Sequence, residues 1–339
     1  MSLGPFEECA DDLAPGDRSV ADADWSEFTL ERVRSVDHPL FERAYARLWE
    51  EFGAAGEMER REVIASRLAW DPRRAIASPP PPPRATAAVM PAQAHAFLYE
   101  LLVVRRGDEL VAVRDHTAVV PLGAARDGAT GRAAATGNTD SAAQAETSAA
   151  PGRAARVVVH LSHVLVEPSM RGSGLAGWLR ALPLHAAREC AAAASMHAPG
   201  AITLVAEMEH ADAAVPATMA RLRSYARAGF RVVDPGRTPY HQPDFRSAAE
   251  IDRTRVEAIP LALVLRRVGR ESETGLGGDE LRDLVAALYA MFAEHVRADH
   301  MAPVRALLER FPGPRDEVAL LSPLLAIASL PCVREGEAR

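Results

Sequence analysis

Residues 157–177 constrain the fold more than any other stretch, because they run VVVHLSHVLV, then EPSMRGSG, then LAG. The opening run, dense in Val and Leu, reads as a buried strand over 155–166. A tight loop with Gly172 and Gly174 follows, and an Ala- and Leu-rich helix then extends over about 173–195. At such a junction the first N–H groups of the helix lack intrahelical partners, and the positive end of the helix dipole favours an anion. Two glycines let the backbone approach a phosphate closely. Taken alone they also fit an ordinary strand-to-helix turn, so the rest of the chain has to separate the two readings.

Residues 26–35 alternate as a first strand, and Leu40, Phe41, Ala44, Tyr45, Leu48, Trp49 and Phe52 recur at helical spacing over 38–52. A second, charged helix over about 57–69 ends before Asp71-Pro72, and the five prolines at 79–83 form an extended connector. The β-rich runs 95–104 and 109–120 flank Arg105-Arg106-Gly107-Asp108, which marks a hairpin. From about 124 to 154 the chain is mostly Ala, Gly, Thr, Ser and Asn, which cannot offset the entropy of ordering, so this is an insertion and not a domain. After the Gly loop come a strand at 201–209, a helix at 216–228 ended by Gly229, a short strand at 230–233 and a last strand at 257–268. The order is β-α-α-β-β-β-α-β-α-β-β. Arg105-Arg106 and Arg266-Arg267 fall at strand ends and are expected on solvated rims. From 277 onward the pattern is helical throughout, with Leu281, Leu284, Val285, Leu288, Tyr289 and Phe292 on one stripe that could cap the sheet or form a homodimer contact. The chain thus divides into a tail (1–25), a domain (26–268, with a Pro-rich connector at 78–92 and the insertion) and a helical extension (269–339).

Composition narrows the function classes. With 46 acidic against 39 basic residues and a net charge of −7, nothing pulls the chain toward nucleic acid or an anionic membrane, and neither is expected as a partner. Cys9, Cys190 and Cys332 are far apart, which indicates neither a disulfide framework nor a metal site. The acidic N-terminal residues lack the pattern of a secretory signal, and the apolar stretch 320–331, interrupted by Ser and Pro, falls short of the roughly 20 residues that span a bilayer. A soluble, cytoplasmic protein is expected.

Two motifs then separate the readings of the loop. Arg171-Gly172-Ser173-Gly174-Leu175-Ala176, preceded by Val166 and Pro168, resembles the R-x-x-G-x-G/A signature of the GNAT (N-acetyltransferase) superfamily. Tyr225-Ala-Arg-Ala-Gly229-Phe230 is similar to that family's second signature, Y-x-x-x-G-F, one strand and one helix downstream. The resemblance covers roughly 26–268, with the motifs in its second half. It implies an α/β fold whose mixed, mostly antiparallel central sheet is splayed between its fourth and fifth strands and flanked by helices. It also implies acetyl-CoA, or another acyl-CoA, as the acyl donor. Leu165 and Val166 would line the pantetheine arm, and Arg171, Gly172, Ser173, Gly174, Leu175 and Ala176 would hold the pyrophosphate.

In that family an amine attacks the thioester directly, which calls for a base and an acid. Tyr225 matches the position of the acid. His160 is the first choice for the base, since imidazole titrates near ~6.5 and such proton transfer is worth on the order of 10²–10⁴ in rate. Its position before Arg171 is similar to that of a catalytic His in the arylalkylamine branch. Ser162 lies two residues on, on the same strand face, and His163 faces the other side unless the bulge common to this strand in the family shifts the register. Glu207 and Glu209 are the rival bases, where desolvation would raise a carboxyl pKa. Where many members carry Asn after this strand, Glu209-His210-Ala-Asp212 stands here. Tyr240 and His241, with His163, are candidate contacts to a small-molecule or peptide amine. Two other readings remain open: an acyltransferase using a longer-chain acyl-CoA or acyl carrier, and a non-catalytic CoA-binding module. A bulky residue such as Trp178 closing the helix's apolar face would favour the short acyl group.

Overall fold

Alternating strands and two amphipathic helix layers produce a mixed α/β architecture. The computed structural model describes residues 6–53, 56–77, 94–122, 156–194, 201–210 and 216–324. The proline run, the 124–154 insertion and Asp212 lie outside them. β1 (Phe28–Val33) is followed by α1 (Phe41–Leu48), α2 (Arg61–Leu68) and α3 (Pro72–Ala77), and the hairpin comes next as β2 (His95–Arg106) and β3 (Glu109–Pro121). Gly107 closes it at φ 59°, a backbone that would cost a residue with a Cβ roughly 1–2 kcal/mol. β4 (Arg156–His160) and β5 (Val164–Val166) stand where one strand was expected.

The helix expected over 173–195 is two helices, α4 (Leu175–Ala181) and α5 (Pro183–Ala193). Pro183 has no N–H to offer the carbonyl of Leu179, one turn back. Arg114 Nη1, reaching up from β3, donates to that carbonyl at 3.2 Å.

Then follow β6 (Ala201–Met208), α6 (Pro216–Arg227), β7 (Arg231–Val233), β8 (His241–Gln242), α7 (Ala248–Arg253), β9 (Ile259–Pro260) and β10 (Ala262–Arg267). The C-terminal part comprises β11 (Gly275–Gly277), α8 (Gly278–Ala293), α9 (Ala298–Ala306) and β12 (Glu317–Leu321). The main sheet runs β1-β2-β3-β4-β6-β10-β7-β12-β11, with β5 also on β3 and β8-β9 apart. Among the described residues β4 and β6 form its parallel pair and the other pairings are antiparallel. One face is covered by α4, α5 and α6, the other by α1, α2 and α8.

The segment after 277 is therefore not helical throughout. Val318 and Leu320 point inward between exposed Glu317 and Ala319, a period-two pattern, and β12 joins β7 through Leu320–Val233 and Leu321–Val232. The stripe on α8 is buried against its own sheet with Val119, Val158 and Val205, where each large side chain contributes roughly 1.5–3 kcal/mol. Arg266 and Arg267 are also not on a solvated rim. Chain folding back after β10 buries them, with Glu271 Oε1 2.9 Å from Arg266 Nε and the Gly275 carbonyl 2.8 Å from Arg267 Nη2.

The N-terminal residues pack as well. Phe6, Cys9 and Leu13 are buried against α4, where Phe6 and Trp25 surround Trp178 at ring separations of 5.4 and 6.4 Å. Among the described residues no helix is long and apolar enough to cross a membrane, and no group of His, Cys, Asp and Glu could hold a metal ion.

Candidate active site

The site forms where two neighbouring strands stop pairing. β4 and β6 run in parallel register to His160–Val205, and Leu161 N still donates to Val205 O at 2.7 Å. Beyond that point β5 pairs with β3, while the end of β6 pairs with β10 through Ala262–Met208. The register on β3 slips by one residue on the way, with Thr117 opposite His160 but Arg114 opposite Val164. This is the signature of a bulge. His160, His163 and Leu165 consequently face the α1 and α8 side, while Leu161, Val164 and Val166 face α4 and α5.

On the first of these faces four polar side chains form a chain. His160 Nε2 lies 2.8 Å from Glu207 Oε2, and Ser162 Oγ lies 3.0 Å from His160 Nδ1. Tyr240 donates its hydroxyl to the other oxygen of Glu207. A carboxylate only accepts, so in the neutral ring the tautomer with the proton on Nε2 suits both contacts and leaves the Nδ1 lone pair for the Ser162 hydroxyl. His160 and the Glu207 side chain are almost buried, whereas Ser162 is half-buried. The serine is thus the member of the chain that a second molecule can reach.

Helix α8 holds the far end. Phe292 meets the His160 ring edge-on at 5.5 Å, and Tyr289 stacks on Tyr240 at 5.6 Å while donating to the carbonyl of His241 at 3.0 Å. Burial and the adjoining Glu207 push the Tyr240 hydroxyl pKa well above the usual tyrosine value, so it remains a donor. Tyr289 and Phe292 are visible in the sequence as part of an apolar stripe, but nothing there ties the stripe to His160.

His163 belongs to a different pair. Its Nδ1 is 3.0 Å from Asp115 Oδ1, its backbone N–H donates to the same oxygen at 2.7 Å, and Nε2 faces the carbonyl of Glu57 at 3.0 Å. Tyr99 donates to Asp115 Oδ2 at 3.0 Å. Burial alone would lower the pKa of His163, but Asp115 and the Glu57 carbonyl outweigh it and lift the value to about 9. Both ring nitrogens face acceptors, as a charged imidazolium requires.

Glu209 is exposed and faces Arg221 Nη2 at 3.4 Å, outside this chain of contacts. His241 is half-buried on β8, its pKa lowered by burial and by Arg310 and His210. Tyr225 lies near the end of α6, edge-on to Phe230 at 4.8 Å and beneath the Arg180 guanidinium at 5.8 Å, in the core on the α5 side.

The Gly loop offers a cradle open on one side. Gly172 has φ 81° and no atom within 4 Å of where a Cβ would stand, and the exposed Arg171 makes no ion pair among the described residues, its Nε turned to the Val166 carbonyl at 3.4 Å. Arg171 and Gly172 leave room for an anion on this side, while the N–H groups of Arg171, Ser173 and Leu175 already have acceptors within the loop. The helix side of the cradle is covered by residues 15–22. A Cβ on Gly174 would stand 2.8 Å from Val20 Cγ2, and one on Gly177 would stand 3.2 Å from Asp17 Cβ. Asp17 Oδ2 is bound by Arg180 Nη2 at 2.8 Å. No sequence signal points to this cover, because the acidic segment shows no regular periodicity.

No family model matches the chain, and no curated protein does. Among solved structures the chain is similar to a tandem GNAT protein from the clavulanic acid biosynthesis pathway, solved without AcCoA, at 16% identity and a TM-score of 0.28. The likeness covers 83% of this chain, which spans 64% of the length of that one.

Proposed function

We propose that the protein is an acyl-CoA-dependent N-acyltransferase that moves an acetyl group to a primary amine by direct attack of the amine on the thioester. The observation that carries this reading is the Glu207–His160–Ser162 chain at the point where β4 and β6 part, with β5 leading from there to the loop that bears the Arg171–Ala176 motif. Arg171, Gly172, Ser173, Gly174, Leu175 and Ala176 hold the pyrophosphate in this reading, and Leu165 and Val166 line the arm. Bound acyl-CoA supplies an activated carbonyl. His160 accepts the proton of the attacking amine at Nδ1 through the Ser162 hydroxyl, and Glu207 holds the resulting imidazolium. Tyr225 matches the family's proton donor to the leaving thiolate by the Y-x-x-x-G-F motif, although it packs in the core on the face of the sheet opposite His160. Trp178, wedged between Phe6 and Trp25, fills the apolar side of α4 and favours a short acyl group over a long one.

A thermal-shift titration with CoA, acetyl-CoA and a long-chain acyl-CoA tests the donor. A ligand at about 100 times its Kd should stabilise the fold by about 2.7 kcal/mol. Acetyl-CoA is expected to raise Tm more than the long-chain compound, and no response to any of the three would overturn the assignment.

A further inference from the structure

Ser162 completes a nucleophile–base–acid arrangement with His160 and Glu207. A serine hydroxyl within hydrogen-bond reach of an imidazole whose other nitrogen is held by a carboxylate is the general form of an activated nucleophile. Here the hydroxyl meets Nδ1 at 3.0 Å and the carboxylate meets Nε2 at 2.8 Å, so the two ring nitrogens exchange their most familiar roles while the proton path stays the same. Three further features fit a nucleophile better than a packing serine. Ser162 occupies the bulge, which takes it out of the strand ladder. It is half-buried while its base and acid are almost buried. Tyr240, itself stacked on Tyr289, fixes the second oxygen of Glu207, so the acid cannot swing away from the ring.

We propose that Ser162 is an acyl-accepting nucleophile and that the protein hydrolyses small activated esters, and acyl thioesters when no amine is present. For thioesters this rests on the donor reading above; for simple esters it does not. The Ser162 oxygen attacks the acyl carbon as its proton passes to His160 Nδ1. The tetrahedral adduct collapses with cleavage of the bond to the leaving group, which takes that proton. Water then attacks the acyl-serine and gives a proton to Nδ1. The bond from the acyl carbon to the Ser162 oxygen breaks, the oxygen recovers the proton, and the carboxylic acid departs.

The test is hydrolysis of p-nitrophenyl acetate by the full chain, with peptide mapping by mass spectrometry of the wild-type protein quenched during turnover. Hydrolysis above the buffer rate is expected, with one acetyl group on the peptide that contains Ser162. Ser162→Ala should abolish both, and His160→Gln should slow hydrolysis on the order of 10²–10⁴-fold. Hydrolysis that survives Ser162→Ala, acetyl found only on another residue, or no hydrolysis above buffer overturns the proposal. Because the acetyl group is located on wild-type protein, a variant that fails to fold does not decide the outcome. Ester turnover at Ser162 without any thermal response to acyl-CoA would remove the donor reading and leave this one standing.

Discussion

His160 Nε2 and Glu207 Oε2 stand 2.8 Å apart, and the two residues belong to strands that stop pairing at His160. Any reaction placed in the gap therefore meets an imidazole already oriented by a carboxylate. Glu207→Gln keeps the shape and removes the charge that supports an imidazolium. A hydrogen bond to a charged group is worth roughly 1.5–3 kcal/mol, so kcat should fall about 10- to 10²-fold with KM little changed. Steady-state kinetics on the best amine acceptor check this.

Tyr240 acts on the reaction through Glu207. Tyr240→Phe removes the hydroxyl that fixes the carboxylate but keeps the stacking on Tyr289. The expected result is a kcat loss of about 10-fold, corresponding to about 1.4 kcal/mol, with KM unchanged. An equal effect on KM would show instead that Tyr240 contacts the acceptor.

Which parts of this site can be read from the sequence follows from how local each signal is. The strand, the Gly loop and the pairing of His160 with Ser162 on one face are short-range features, and the bulge that turns His163 to the same side is a one-residue slip. The Tyr240–Glu207 contact joins residues far apart in the chain and depends on how the loop before β10 returns over the sheet. β12 is a short alternating run inside an apolar stretch, too brief to outweigh the helical pattern before it. The cover over Gly174 comes from acidic 3₁₀ turns that have no periodic signature, and it is held by buried Asp17, which binds Arg180 and Arg227.

That cover can be tested with two glycines. Both Gly172 and Gly174 have positive φ, but only Gly174 has Val20 against it. Gly172→Ala should cost about 1–2 kcal/mol from the backbone alone. Gly174→Ala should cost more, since Val20 must also shift. Urea denaturation of the two variants compares them, and equal losses would mean that residues 15–22 are not held there in solution.

The His163–Asp115 pair predicts a pH dependence of stability. The folded pKa of His163, about 9, lies above its ordinary value of 6.5. Its contribution is therefore fully present below about pH 6.5 and is lost as pH rises through about 9. Denaturant midpoints should fall across that window in wild type, and much less in His163→Ala. That variant removes the charged partner of Asp115 but keeps the Tyr99 hydroxyl and the backbone N–H of residue 163 on it, and should lose about 3 kcal/mol at neutral pH.

The most direct measurement is mass-detected transfer of isotope-labelled acetyl from acetyl-CoA to a panel of primary amines, run with wild type, His160→Ala and Tyr225→Phe. A labelled N-acetyl product is expected with wild type. His160→Ala should lower its rate on the order of 10²–10⁴-fold, with a smaller loss in Tyr225→Phe. No labelled product with any amine, or unchanged transfer in His160→Ala, would contradict an N-acetyltransferase that uses His160 as its base.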